Sequence, residues 1–177
     1  MTDISFILKV VFYRSEAGNE PVREWLKDLP RDDKRQIGED IKTAQLGWPL
    51  GMPLIKKIYM DLWEVRTRLE DGIEPPWQLQ KGHKMKNERL GSNFDDFLEE
   101  EGLRADAEAA AIKRVIAYQI ELEMKQANLS KTAMAEKMHT SRTALDRLLD
   151  PANVSVTLQT LERAALALGK SLKIELA

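Results

Sequence analysis

The sequence predicts an α+β protein in two parts: a small β-sheet with two helices over residues 1–73, then an all-α region over 87–177 that closes on a short strand. Three observations predict it. Residues 4–12, ISFILKVVF, form a β-branched and aromatic run of strand length. Residues 74–86, EPPWQLQKGHKMK, hold two prolines and a glycine without either period, which reads as a linker. Beyond Gly91 the apolar residues recur at helical spacing.

After the first strand, Gly18-Asn19 breaks the chain, and Asn19 is placed to cap a helix with Pro21 in its first turn. Val22, Trp25, Leu26 and Leu29 share one face, and Pro30 ends that helix. Asp32 and Asp33 open a second helix, with Ile37, Ile41 and Ala44 inward and Gly47 at its end. Ile55 to Tyr59 and Leu62 to Leu69 alternate as a hairpin, in which Trp63, Val65 and Leu69 face one way and Glu64, Arg66 and Arg68 the other. In the second part, Ser92 or Asn93 caps a short helix carrying Phe94, Phe97 and Leu98 on one face, ended by Gly102. A long helix spans about 105–126, with Ile112, Val115, Ile116, Gln119 and Leu122 along one side. Short helices at about 131–138 and 142–149 precede Pro151, and a last helix at about 158–168 is capped by Thr157 and closed by Gly169. Leu172, Ile174 and Leu176 alternate with Lys173 and Glu175 as a final strand.

Composition excludes several classes of function. At 43% hydrophobic and 32% charged the chain is that of a globular protein, and no apolar run reaches the roughly 18 residues of a membrane span. Lys9 interrupts the first apolar run and no small-residue cleavage site follows, so no signal peptide is expected. The absence of cysteine removes disulfides and thiol chemistry and suits a reducing cytoplasm, where the protein is expected. The two histidines, His83 and His139, lie far apart, so neither a metal site nor a cofactor is expected. The net charge of −2 is unevenly spread: −1 over 1–73, +2 over 74–86, −6 over 88–108 and +3 over 109–177.

The informative segment is LSKTAMAEKMHTSRTALDRLL, residues 129–149. Two short helices joined by a tight turn, with Ala135 small enough to let them cross, make a helix-turn-helix. Met134, Met138, Leu145 and Leu148 supply the shared core, and Ser141 caps the second helix. Arg142, Thr143, Asp146 and Arg147 then face outward, suited to the major groove, with Lys131 and Thr132 placed for phosphate contact. His139 stands where the turn ordinarily has glycine. Short amphipathic helix pairs are common, and a solvated surface is the alternative reading of these polar residues.

Residues 87–177 resemble a HigA-type antitoxin with a lambda-repressor-like helix-turn-helix, through GSNFDDFLEEEG, AAAIKRVIAYQIELEMK, the 129–151 segment, SVTLQTLERAALALG and SLKIEL. Residues 1–71 are similar to a HigB-type toxin of the RelE-like superfamily, through FYRSEAGNEPVREWLKDLP, GWPLGMPLIKK and LWEVR. The first resemblance implies a homodimer on palindromic operator DNA that represses its own operon and binds its toxin. The second implies ribosome-associated mRNA cleavage, but it stops at Asp71-Gly72, before the family's further strands and basic C-terminal segment. That loss implies a truncated, catalytically silent toxin in which Arg66, Arg68 and Lys56 are relics, with an edge left open where a further strand belongs. Three readings follow: a DNA-binding regulator, an mRNA endonuclease silenced in cis by its fused antitoxin, and a scaffold in which the toxin remnant only covers a binding face. Phe94, Phe97 and Leu98, with the carboxylates around them, are the expected intramolecular toxin–antitoxin contact, the alternative being that this face packs on its own domain's long helix.

Overall fold

A computed structural model describes residues 8–47, 54–59, 62–69, 72–73, 77–80, 89–153 and 155–174. The architecture is α+β, with seven helices and small antiparallel sheets among the described residues. The chain forms two compact units, 1–111 and 112–177, that part within a long helix.

In the first unit, β1 (Val11–Tyr13) precedes α1 (Pro21–Asp28) and α2 (Arg31–Gly47). Asn19 does not cap α1. The cap position is Glu20, which makes no side-chain cap bond because its carboxylate is drawn away to the amide and hydroxyl of Ser92, at 2.7 and 2.5 Å. Strands β2 (Ile55–Tyr59) and β3 (Leu62–Val65) pair as expected, but the second arm stops at Val65, and β4 (Arg68–Leu69) pairs instead with β5 (Gly72–Ile73). The segment read as a linker is corrected in its middle: β6 (Trp77–Gln80) lies antiparallel on β3, with Val65 opposite Trp77 and Leu62 opposite Gln80. Pro75 and Pro76 precede this strand and so remove none of its ladder bonds.

Residues 90–93 are also corrected, from helix onset to strand. β7 (Leu90–Asn93) pairs antiparallel with β1, Val11 opposite Asn93. Gly91 permits this, because a Cβ there would sit 2.7 Å from the Phe12 carbonyl oxygen. Asn93 then caps α3 (Phe94–Glu100), its side chain accepting from the Asp95 amide. The unit's core combines Phe12, Leu26, Ile37, Ile41 and Leu69 with Phe94, Phe97, Leu98, Leu103 and Ala107. Phe12 meets Phe97 edge to face at 5.6 Å.

α4 (Arg104–Gln126) runs from the first unit into the second. Its expected apolar side is corrected in part. Val115 is buried, but Ile112 and Leu122 are each 41% exposed, and the buried positions include Ala107, Ala110, Ala111, Ala117, Ile120 and Met124.

The second unit continues with α5 (Lys131–Lys137), α6 (Arg142–Leu149) and α7 (Leu158–Ala167), packed around Met134, Met138, Leu145, Leu148, Leu161 and Ala164. Ser130, Ser141 and Thr157 cap these helices. The final strand is corrected as well: residues 171–174 carry no regular secondary structure, and 175–177 lie outside the described residues. A strand needs a partner for its amides and carbonyls, and none stands beside it among the described residues of this unit.

Candidate functional site

Two places, one in the second unit and one in the first, hold the residues singled out from the sequence. The first is the α5–α6 pair. α5 ends in a Schellman motif: the Thr140 amide donates to the Ala135 carbonyl and the His139 amide to the Glu136 carbonyl, both at 3.0 Å. His139 adopts the left-handed conformation this requires, with φ of 51°. The same device ends α4 at Asn128, where the Leu129 amide donates to the Met124 carbonyl. Ala135 is buried between the two helices, and Ser141 accepts from the Ala144 amide at 3.1 Å, starting α6 at once.

This geometry puts Lys131, Thr132, Ser141, Arg142, Thr143 and Arg147 at exposed positions, with Asp146 half-exposed among them. Asp146 takes a hydrogen bond from Lys131 Nζ at 2.8 Å, while Arg142 Nε lies 3.9 Å from its other oxygen. The Lys131 hydrogen bond holds the Asp146 carboxyl below its ordinary value, against slight desolvation. At the far end of α6, buried Lys113 donates to the Asp150 carbonyl and Arg114 to the Pro151 carbonyl, cations at a helix's negative end. Burial pushes the Lys113 ammonium down. Sequence reasoning missed Lys113, although its place among buried alanines on α4 is a signal of a residue held inward.

The second place is the β2–β3–β6 sheet of the first unit. On β3 Glu64 is buried and accepts from Arg66 Nε at 2.5 Å, and Lys56 stands opposite Glu64 in the β2–β3 register. Lys57 lies over the Trp63 ring at 5.4 Å. Arg68 is exposed on β4, so the structure groups Arg66 and Lys56 around Glu64 but leaves Arg68 on a separate ladder.

Across the same unit, cations of α1 and α2 meet the acidic segment around α3. Arg23 reaches Glu100 at 2.5 Å and Lys34 reaches Glu101 at 2.7 Å. Arg31 donates to the carbonyls of Glu101 and Gly102, where α3 ends. Lys42, with no exposed surface, lies 3.0 Å from Asp95 and 3.1 Å from Glu108. Burial pushes the Glu108 carboxyl up, but hydrogen bonds from Lys42 and Arg104 outweigh it and hold it below its ordinary value. Phe94, Phe97 and Leu98 are fully buried against α1, α2 and β1. Lys42 was not singled out from the sequence. Its signal is position: it stands four residues after Gly38 on the inward face of α2, where Leu98 approaches closely.

These features define an α+β chain whose first unit carries a cation-bearing antiparallel sheet against two helices, joined to a helical unit with a capped short-helix pair. Residues 24–74 match the family described as phage derived protein Gp49-like (DUF891), a RelE/toxin-like family, which puts this part of the chain in a toxin–antitoxin context. The match covers less than a third of the chain and does not reach residues 87–177. No curated protein and no solved structure matches. Among the described residues no helix is long and apolar enough to cross a membrane.

Proposed function

We propose that this chain is a cytoplasmic toxin–antitoxin protein in which a HigA-type antitoxin binds operator DNA as a homodimer and represses its own operon, fused to a toxin remnant without nuclease activity. The observation that carries the reading is the α5–α6 pair, whose tight turn and Ser141 cap leave Arg142, Thr143, Asp146 and Arg147 on one accessible stretch of helix. Lys131 and Thr132, at the start of α5, supply phosphate contacts in this reading. Residues 90–108 hold the toxin-like part through Phe94, Phe97 and Leu98 and through the carboxylates facing Arg23, Lys34 and Lys42. The test is selection of duplexes from a randomised 30-base-pair pool, followed by gel shift on the enriched sequence. A palindromic enriched sequence, with Arg142→Ala losing about 1–3 kcal/mol of discrimination at one base per half-site, supports the reading. Failure of the wild type to enrich any sequence removes it.

A second reading, an mRNA endonuclease silenced in cis, is favoured by one observation. β6 occupies the edge of β3 expected to be open, and Glu64, Arg66 and Lys56 then place a carboxylate and two cations together on that sheet. Ribosome-associated mRNA cleavage by the full chain in a translation extract, lost in Arg66→Ala, decides for it.

A further inference from the structure

We propose that Asp146 is a specificity-determining residue of the α6 face: a carboxylate that is paired with Lys131 and Arg142 in the free protein and admits only sites that place cytosine or adenine, with its exocyclic amino group, on the strand it faces. The inference rests on the DNA-binding reading above and deepens it.

A groove-facing surface meets a polyanion, so every acidic group on it opposes docking unless something on the duplex donates to it. Asp146 is the one acidic residue of α6, and it stands among Arg142, Thr143 and Arg147 rather than behind them. Its charge is already compensated in the free protein, by Lys131 at 2.8 Å from one oxygen and Arg142 at 3.9 Å from the other. Both partners are themselves accessible, Lys131 at 45% and Arg142 at 67% side-chain exposure. They are also the residues best suited to phosphate and guanine. Docking therefore sets up a competition. As Lys131 turns to a phosphate and Arg142 to a base edge, Asp146 loses its partners in a groove of negative potential. The amino group of a cytosine or adenine on the strand it faces is the major-groove donor that restores its hydrogen bonds; a guanine or thymine at that place on the same strand presents acceptors and leaves it unpaired. The carboxylate thus adds little affinity for its own site and penalises the others, which is discrimination by exclusion.

No other charged group prevents this exchange among the described neighbours. On α5 the nearby charges are Lys131, Glu136 and Lys137; on α6 they are Arg142 and Arg147; only Lys131 and Arg142 reach Asp146 within ion-pair distance.

The experiment repeats the duplex selection with full-length wild type, Asp146→Asn and Lys131→Ala, and measures affinity for the enriched duplex and for an unselected pool. Wild type should enrich cytosine or adenine at one position per half-site. Asp146→Asn should lose that preference and bind the unselected pool about tenfold tighter, narrowing the specific-to-random ratio by about tenfold or more. Lys131→Ala breaks the same ion pair but keeps the carboxylate, so it should weaken both duplexes alike and keep the enriched sequence. If Asp146→Asn enriches the same sequence with the same ratio as wild type, the proposal is wrong while the DNA reading stands. If Lys131→Ala and Asp146→Asn behave identically, the pair merely fastens α5 to α6 and the proposal is again overturned. If wild type enriches nothing, both readings fall together.

Discussion

Phe97→Ala tests whether residues 90–108 and the toxin-like helices share one core. Phe97 is 1% exposed and packs between Phe12 at 5.6 Å and Phe94 at 6.0 Å. Truncating a buried phenylalanine costs about 3–5 kcal/mol, including the lost edge-to-face contact and the cavity left behind. A unit of this size has a stability on the order of 5–15 kcal/mol, so the substitution removes about a fifth or more of it. At roughly 4–8 °C per kcal/mol the melting temperature of the first unit should fall on the order of 20 °C. The readout is local: Trp25 on α1 packs against this core from the toxin-like side. With 5-fluorotryptophan incorporated and its resonance assigned by Trp25→Phe, urea unfolding followed by fluorine NMR should show the Trp25 midpoint shifting by the full amount. An unchanged Trp25 midpoint in Phe97→Ala would mean that α1 and α3 do not fold as one body, and the shared core would be refuted.

Gly91→Ala should destabilise the same unit by about 1–3 kcal/mol, since its Cβ meets the Phe12 carbonyl oxygen at 2.7 Å and the Glu20 carboxylate at 2.6 Å; chemical denaturation gives the value. The lowered Glu108 carboxyl makes a pH prediction. The unfolded chain binds this proton at about 4.5 and the folded chain only below that, so its contribution is complete above pH 4.5 and is lost as the pH falls through the lower folded value. Glu108→Gln should flatten that part of an acid-denaturation curve while leaving the slope above pH 5 unchanged. His139→Gly relieves a left-handed backbone at φ of 51° and should raise the second unit's stability by up to about 1 kcal/mol, whereas His139→Val should lower it by at least about 1 kcal/mol, both read by thermal melts.

Local chemistry made much of the fold legible. Ser141 and Thr157 were identifiable as caps because a hydroxyl before a helical run has one obvious use, and Gly102 and Gly169 as stops because each takes positive φ. His139 broke the glycine rule, yet the turn it makes is the expected one. The errors share a cause, which is pairing between distant segments. Leu90–Asn93 has no strand pattern of its own and becomes one because β1 lies beside it; Trp77–Gln80 follows two prolines and is held by β3. Asn19 was read as the cap of α1, but the helix starts from Glu20, whose carboxylate is taken by Ser92 from 72 residues away. At the candidate sites, the outward residues of α6 were readable from helical spacing alone. The burial of Lys42 and Lys113 was not, since a lysine inside requires partners, and these come from α3, α4 and the carbonyl after α6.

The pairing of β1 with β7 sets an order of events during synthesis. Val11 finds its partner about 80 residues later, so at about 5–20 residues per second the ribosome releases β1 several seconds before the strand that completes its ladder. In that interval Phe12, Leu26 and Ile37 lack Phe94 and Phe97, and Lys42 has neither of its carboxylates. The pairing of Lys42 is complete only once Glu108 has emerged. In the finished chain the cations of α1 and α2 and the carboxylates of residues 95–108 meet within one unit of one chain, without a diffusive search.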